Sequence, residues 1–302
     1  MTEPVPIAVP RKGRPLEAVL ERVATIADEP DAESLVDNVT SVLRYEKAIT
    51  KGEQRTEADS YERLAEYSEL SSGPEYTLLR DDRPGKPRRI VFDSLQLRLD
   101  GKPVHLVGRE EPFRALRTHE FALGFDAADL VLEEVVALAP EGVADLDAVN
   151  ERIDPMESDV RVVTGLGDTV YHTLLGAPET VPAGTELDRE FLREYVGALC
   201  ISPRYERLVE AVLGTEAIDG LEFAYPDEEE EEEAAIAEAG LGIYLTVTGT
   251  TAREHGLILG EQLFPSETVL LENSAEVDEE IERIRATISG DDLREQTELW
   301  AE

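Results

Sequence analysis

Cysteine is nearly absent from this chain: of 302 residues only Cys200 carries a thiol. An intramolecular disulfide and a multi-cysteine zinc site are both excluded, and a lone thiol in an apolar stretch predicts a small core residue in a reducing compartment. Histidine is scarce too. His105, His119, His172 and His255 show no His-X-His or His-Glu-X-X-His spacing, so no dedicated metal site is expected. Lysine is the third scarcity: 5 Lys stand beside 24 Arg and 67 acidic residues, for a net charge of −38. A general basic face for nucleic acid is therefore not expected. Acidity spread along nearly the whole chain is the pattern of proteins from salt-loving cytoplasms, where carboxylates hold water and high salt screens their repulsion. No run of eighteen apolar residues occurs, and the opening MTEPVPIAVPRKG has no apolar stretch of signal length. These absences predict a soluble, cytoplasmic protein without a membrane partner.

What is present is an alternation of apolar strand-like segments and amphipathic helix-like segments, which predicts an α/β fold with largely parallel sheets. PIAVP (6–10) reads as a strand. PLEAVLERVATIA (15–27) follows it, with Leu16, Val19, Leu20 and Val23 on one helical face. Residues 28–75 are rich in Glu, Asp and Ser with helical periodicity, and read as a helical insertion. EYTLLRDD, RIVFDSLQLRLDG and PVHLVGRE read as strands, with the Asp100-Gly101 pair predicting a hairpin turn. DVRVVTGLGDTVYHTLLGAP reads as a strand pair interrupted by glycines. Alternating segments then lead to ETVLLEN, a strand, and to a helix with Val277, Ile281, Ile284 and Ile288 on one face. The run from Asp227 to Glu233 reads as a solvated loop rather than a metal site, because adjacent glutamates diverge and repel. Lys86, Arg88 and Arg89 read as a surface turn, and Leu299 and Trp300 as a packed terminus.

One stretch carries chemistry. TVTGTTAREHGL (246–257) joins a strand to a helix through a loop of threonines and Gly249. Such a loop turns backbone N–H groups and hydroxyls toward one point, which suits a phosphate, though the same residues also suit an ordinary turn and helix cap.

Four stretches together resemble the ATP phosphoribosyltransferase family. IAVPRKGRPLEAVLE resembles its opening strand and first helix, with Pro10, Lys12, Gly13 and Arg14 in the Lys-Gly-Arg motif. FRALRTHEFALGFDAADLVLEE is similar to its "ADLGITGxD" segment. LGDTVYHTLLGAPE with GALCISPRYERLVEAVL resembles its passage into a second lobe. AGLGIYLTVTGTTAREHGLIL resembles its phosphoribosyl-pyrophosphate loop. The family's insertion-free plan gives no counterpart for 28–75.

The resemblance implies two α/β lobes like a type II periplasmic binding protein, with ligands in a cleft between lobes. It places lobe I in 1–177, lobe II in 178–257, and the return to lobe I with a C-terminal helix in 258–302, as in the short form without a regulatory domain. It implies transfer of phosphoribosyl to N1 of ATP, with Mg²⁺. Thr248, Gly249, Thr250 and Thr251 would hold the 5-phosphate, Lys12, Gly13 and Arg14 would face the nucleotide or pyrophosphate charge, and Arg109 would join them. Departures point to a diverged haloarchaeal-type paralogue. Tyr244 stands where the family has an acidic residue, Ala122 replaces an aspartate, and Asp126 and Ala127 replace a Thr-Gly pair, while Leu123, Gly124 and Asp129 are kept. The alternative reading is a non-catalytic protein that senses phosphoribosyl pyrophosphate or a nucleotide and works through a partner docked on 28–75, or through self-association.

Overall fold

The computed structural model describes residues 3–68, 73–80, 88–227 and 231–290. Lys86, Leu299, Trp300 and residues 228–230 of the acidic run lie outside them. The chain divides into two compact units. The first comprises Met1–Asp126, Asp159–Asp168 and Thr268–Glu302, and the second Ala127–Ser158 and Thr169–Glu267. Both units are α/β, and the chain passes between them four times. This is the interleaved plan of the type II periplasmic-binding-protein-like class.

The first unit is built on a seven-stranded sheet of order β2-β3-β4-β1-β5-β12-β6. Its strands are β1 (Val5–Pro10), β2 (Glu75–Leu79), β3 (Arg89–Leu99), β4 (Lys102–Arg109), β5 (Leu123–Ala127), β6 (Val160–Gly165) and β12 (Thr268–Asn273). β4 and β5 run parallel to β1, whereas the β2–β3, β3–β4 and β6–β12 pairs are antiparallel. The sheet is thus mixed and not largely parallel as expected, because β3 and β4 close a two-residue hairpin. Asp100 at φ 47° and Gly101 at φ 71° both take the left-handed conformation such a turn requires.

Helix α1 (Gly13–Ile26) packs on this sheet through Leu16, Val19, Leu20 and Val23, all fully buried at helical spacing. Each contributes about 1.5–3 kcal/mol by burial. The insertion forms α2 (Ala32–Lys51) and α3 (Ser60–Tyr67), and Val36 and Val39 of α2 enter the same core. It is therefore an integral layer of the first unit. Arg63 of α3 and Glu46 of α2 form a buried bidentate pair, at 2.7 and 2.9 Å. Helix α4 (Pro112–Arg117) precedes β5, and α10 (Glu279–Ser289) buries Ile284 and Ile288.

The second unit carries α5 (Ala128–Glu134), β7 (Val170–Gly176), α6 (Arg189–Glu194), β8 (Gly197–Cys200), α7 (Glu206–Leu213) and β9 (Leu221–Ala224). α8 (Glu232–Ala239), β10 (Leu241–Thr246), α9 (Thr250–Glu254) and β11 (Ile258–Ser266) complete it. Its sheet order is β11-β7-β10-β8-β9. β7 pairs antiparallel with both β10 and β11, while β8 runs parallel to β10 and β9. The second unit extends beyond the expected 178–257: Ala127–Ser158 belongs to it and not to the first, β7 brings the second entry to Thr169, and β11 delays the return to Thr268. The same pairing separates β6 from β7, which lie in different sheets rather than as a strand pair. Cys200 is buried in the apolar core with Leu175, Ile236 and Leu257, as expected of a small core residue. No helix among the described residues is long and apolar enough to cross a membrane.

Candidate functional site

In the first unit, the candidate residues collect at the carboxyl ends of parallel strands. Pro10 of β1 lies in register with Arg109 of β4, and Arg11 Nε donates to the Gly108 carbonyl at 3.0 Å. The chain turns from β1 into α1 through Lys12, extended at φ −166°, and Gly13 at φ 81°. No side chain caps α1 and no carboxylate lies in its first turn. Lys12, Gly13 and Arg109 are therefore neighbours. Their charges are engaged. Lys12 Nζ lies 3.5 Å from Glu110, and the Arg109 guanidinium stacks 4.8 Å from the Phe121 ring centroid. Arg14 donates to the Asp168 carboxylate at 2.7 Å and to the Asp168 carbonyl. Asp168, in the loop after β6, also accepts from the Thr268 amide at 2.7 Å and hydroxyl at 2.8 Å, so it ties Arg14 to the start of β12. Asp126, at the family's threonine position, is buried and accepts from the Phe113 amide at 2.9 Å, which ties down the start of α4.

In the second unit, β10 ends at Thr246 and the loop reaches α9 through Gly249 at φ 66°. An added Cβ there would lie 2.3 Å from a Leu259 methyl, so glycine answers to both conformation and space. The first intrahelical bond is Arg253 N–H to the Gly249 carbonyl, and no side chain caps the helix. The amides of Thr250, Thr251 and Ala252 thus precede any intrahelical partner. The Thr248 and Thr250 hydroxyls meet at 2.9 Å, and Arg253 Nη1 holds the Thr248 carbonyl at 2.8 Å. α9 is a single short turn, so the loop's donors matter more than a helix dipole.

Thr251 opens on a pocket of about 650 Å³ shared with Ser202, Pro203, Tyr244, Asp227 and Glu231–Glu233. Tyr244 bonds Glu232, and that bond, with partial burial, raises its hydroxyl pKa well above the phenol's usual value. A phenol tied to a carboxylate supplies no negative oxygen of its own. His255, a polar helix position in the sequence, meets Glu231 at 3.2 Å.

The sequence did not signal a buried polar group beneath this sheet. His172 of β7 is 1% exposed, and its Nε2 lies 3.2 Å from Asp129 Oδ2 of α5, without hydrogen-bond geometry. Ser266 Oγ donates to that Asp129 oxygen at 3.0 Å, and the Tyr205 ring meets His172 edge-on at 5.0 Å. Glu133, one turn along α5, has its pKa pushed up to about 7, first by burial and then by Asp129, with Arg204 opposing. Asp129 stood out as a retained motif residue; its partner 43 positions away had no spacing to announce it. Among the described residues, no group of three or more His, Cys, Asp or Glu side chains is arranged to hold a metal.

Of the two interleaved α/β units, one carries a basic strand-to-helix turn and the other a Thr-Gly loop without a side-chain cap. The model of the halobacterial ATP phosphoribosyltransferase family matches residues 1–299, and the chain belongs to that family. Among solved structures it is similar to the ATP phosphoribosyl transferase (HisG:HisZ) complex of Thermotoga maritima. The two are 13% identical with a TM-score of 0.40, over 94% of this chain and 96% of that one. It is also similar to the regulatory domain of MetR, a LysR family regulator from N. meningitidis, at 12% identity and TM-score 0.32, over 61% and 78%. A third similar structure is an ancestral amino acid-binding protein, a precursor of cyclohexadienyl dehydratase, at 11% and 0.33, over 62% and 71%. A search of curated proteins finds no match.

Proposed function

We propose that this protein binds phosphoribosyl pyrophosphate and ATP and transfers the phosphoribosyl group to N1 of ATP. The observation that carries the reading is the 246–251 loop, whose glycine-turned backbone leaves the amides of Thr250 and Thr251 uncapped beside two hydroxyls, in a chain of this family. In this reading the loop holds the 5-phosphate. Lys12, Gly13, Arg14 and Arg109 face the phosphate charge of the nucleotide and of the leaving group. N1 of adenine supplies the electron pair for the new bond to C1 of the ribose, the C1–oxygen bond breaks with its pair leaving on pyrophosphate, and the 6-amino group gives a proton to solvent. Ribosyl transfer develops positive charge on the sugar and negative charge on pyrophosphate, so cations and N–H donors around the leaving group lower the barrier.

Mg²⁺ fits as the counter-ion of pyrophosphate, held by one or two carboxylates plus phosphate oxygens rather than by a protein cage. In this reading Asp227 and Glu232, which line the pocket with Thr251, would be the carboxylates that share it. When bound, the ion neutralises charge on the departing pyrophosphate. Tyr244 favours a second reading, a sensor that binds these ligands without transfer, because its hydroxyl is committed to Glu232. Incubation with ATP, phosphoribosyl pyrophosphate and Mg²⁺ in molar KCl separates the two. Equal yields of pyrophosphate and phosphoribosyl-ATP support the enzyme, and binding without either product supports the sensor.

A further inference from the structure

Leu259, whose methyl packs on Gly249 of the Thr-Gly loop, also lines a pocket of the second unit that the transfer reaction does not use. Strand β11 leaves its regular pairing with β7 between Leu259 and Gln262, and again between Gln262 and Phe264. A bulge of this kind turns groups away from the ladder, and bulges recur where a strand serves a site. Here the Glu261 amide donates to the Leu187 carbonyl at 2.8 Å, the Arg189 amide donates to Glu261 Oε2 at 2.9 Å, and the Arg189 guanidinium donates to the Leu263 carbonyl. Gly260 lets the two segments close up, because a Cβ there would lie 2.2 Å from the Leu187 oxygen. The segments so joined, 185–188 and 258–261, border a pocket of about 560 Å³.

The lining is of two kinds. Leu187, Ile258 and Leu259 are apolar, and Ile258 is 37% exposed. Glu186, Asp188 and Glu261 are carboxylates, and no Lys or Arg lines the pocket with them. Arg189 meets Glu261 at 3.5 Å, and Asp188 accepts from the Phe191 amide with one oxygen at 2.9 Å. Glu186 makes no side-chain hydrogen bond or ion pair among the described residues. An apolar wall beside carboxylate oxygens that can still accept suits a small ammonium ion with an apolar body. The body takes Ile258 and Leu259 out of water, and the ammonium donates to Glu186 and Asp188. An anion would be repelled, and a bare inorganic cation would leave the apolar wall wet. In molar salt the screening length falls to about 3 Å, so the carboxylates select by direct contact and not by long-range field.

We propose that this pocket is a site for a small alkylammonium compound, and that its occupant steadies the Thr-Gly loop through Leu259. Packing against Leu259 from the pocket holds its methyl on Gly249, and so holds that residue in the left-handed conformation from which the loop turns into α9. Binding of the amine is independent of the transfer reaction, whereas its effect on phosphoribosyl pyrophosphate rests on the loop reading proposed above. The test is calorimetric titration of the full chain in 1 M KCl with isopentylammonium, isopentanol and leucine, which share one apolar body. The amine binds. Isopentanol, without the charge, and leucine, whose carboxylate meets Glu186 and Asp188, bind roughly tenfold more weakly. Glu186→Gln weakens the amine to the level of the alcohol, and Glu190→Gln, an exposed carboxylate of α6 outside the lining, leaves it unchanged. Saturating amine tightens phosphoribosyl pyrophosphate binding, and phosphoribosyl pyrophosphate tightens amine binding by the same factor. A readout at the loop needs no sugar phosphate: the Gly249 amide resonance shifts when the amine is added to wild type, and shifts less in Glu186→Gln at the same concentration. No binding of the amine, equal affinity for amine and alcohol, equal weakening by Glu190→Gln, an unmoved Gly249 resonance, or a phosphoribosyl pyrophosphate affinity indifferent to the amine overturns the proposal. If phosphoribosyl pyrophosphate does not bind at all while the amine binds and moves Gly249, the loop reading fails and this site stands.

Discussion

Removing one partner of the Glu46–Arg63 pair tests whether the 28–75 segment is a structural layer or an appendage. Both side chains are less than a tenth exposed, at 4% and 7%. The guanidinium makes two bonds to the carboxylate and a third to the Ala58 carbonyl at 2.7 Å, while the Tyr67 hydroxyl donates to Glu46 at 3.1 Å. Glu46→Ala leaves a guanidinium inside the protein with one remaining acceptor. Breaking a buried pair in this way costs about 3–5 kcal/mol, which for a unit of this size lowers the melting temperature by roughly 6–20 °C. The double replacement Glu46→Leu/Arg63→Met removes both charges together and should lose far less than the single change, because no uncompensated charge remains. Melting in 2 M KCl, followed by circular dichroism for wild type, Glu46→Leu, Arg63→Met and the double variant, measures the coupling. Single variants within 1 kcal/mol of wild type would refute the argument and return the segment to a loosely attached one.

Stability should rise steeply from dilute buffer to molar KCl, because a net charge of −38 repels itself when unscreened; a flat melting curve against salt refutes it. Glu133, with its folded pKa near 7 and a lower unfolded value, binds its proton more tightly when folded, so stability should fall as pH rises from about 4.5 to 7 and level off above. Glu133→Gln should flatten that segment of the profile, and an unchanged profile removes the assigned cause. Gly249→Ala forces a Cβ into the left-handed region against Leu259 and should cost about 1–2 kcal/mol in urea melts, with weaker phosphoribosyl-pyrophosphate binding. A neutral substitution would mean that the loop is not held as described.

Local pattern made part of the fold legible. The spacing of Leu16, Val19, Leu20 and Val23 identified α1 and its buried face, and Asp100-Gly101 identified the hairpin, because each signal lies within one turn or one element. Apolar runs do not say which sheet a strand joins. β6 and β7 lie on either side of LGDT yet pair with β12 and with β10 and β11, so the unit boundary followed long-range pairing and not glycine content. The site shows the same division. The Thr-Gly loop and the Lys-Gly-Arg turn are contiguous in sequence and were readable. Arg14 with Asp168, and His172 with Asp129, are pairs 154 and 43 residues apart that only folding brings together.

The central claim is that TVTGTT holds a sugar phosphate, and titration calorimetry with phosphoribosyl pyrophosphate and Mg²⁺ in molar KCl tests it most directly. Thr250→Val/Thr251→Val keeps side-chain shape and removes two hydroxyl donors, so each lost bond to a charged ligand should cost about 1.5–3 kcal/mol in affinity. The account predicts binding by wild type and its loss or severe weakening in the double variant, with an unchanged melting temperature. No heat from wild type at millimolar ligand, or equal affinity in the two proteins, would contradict it.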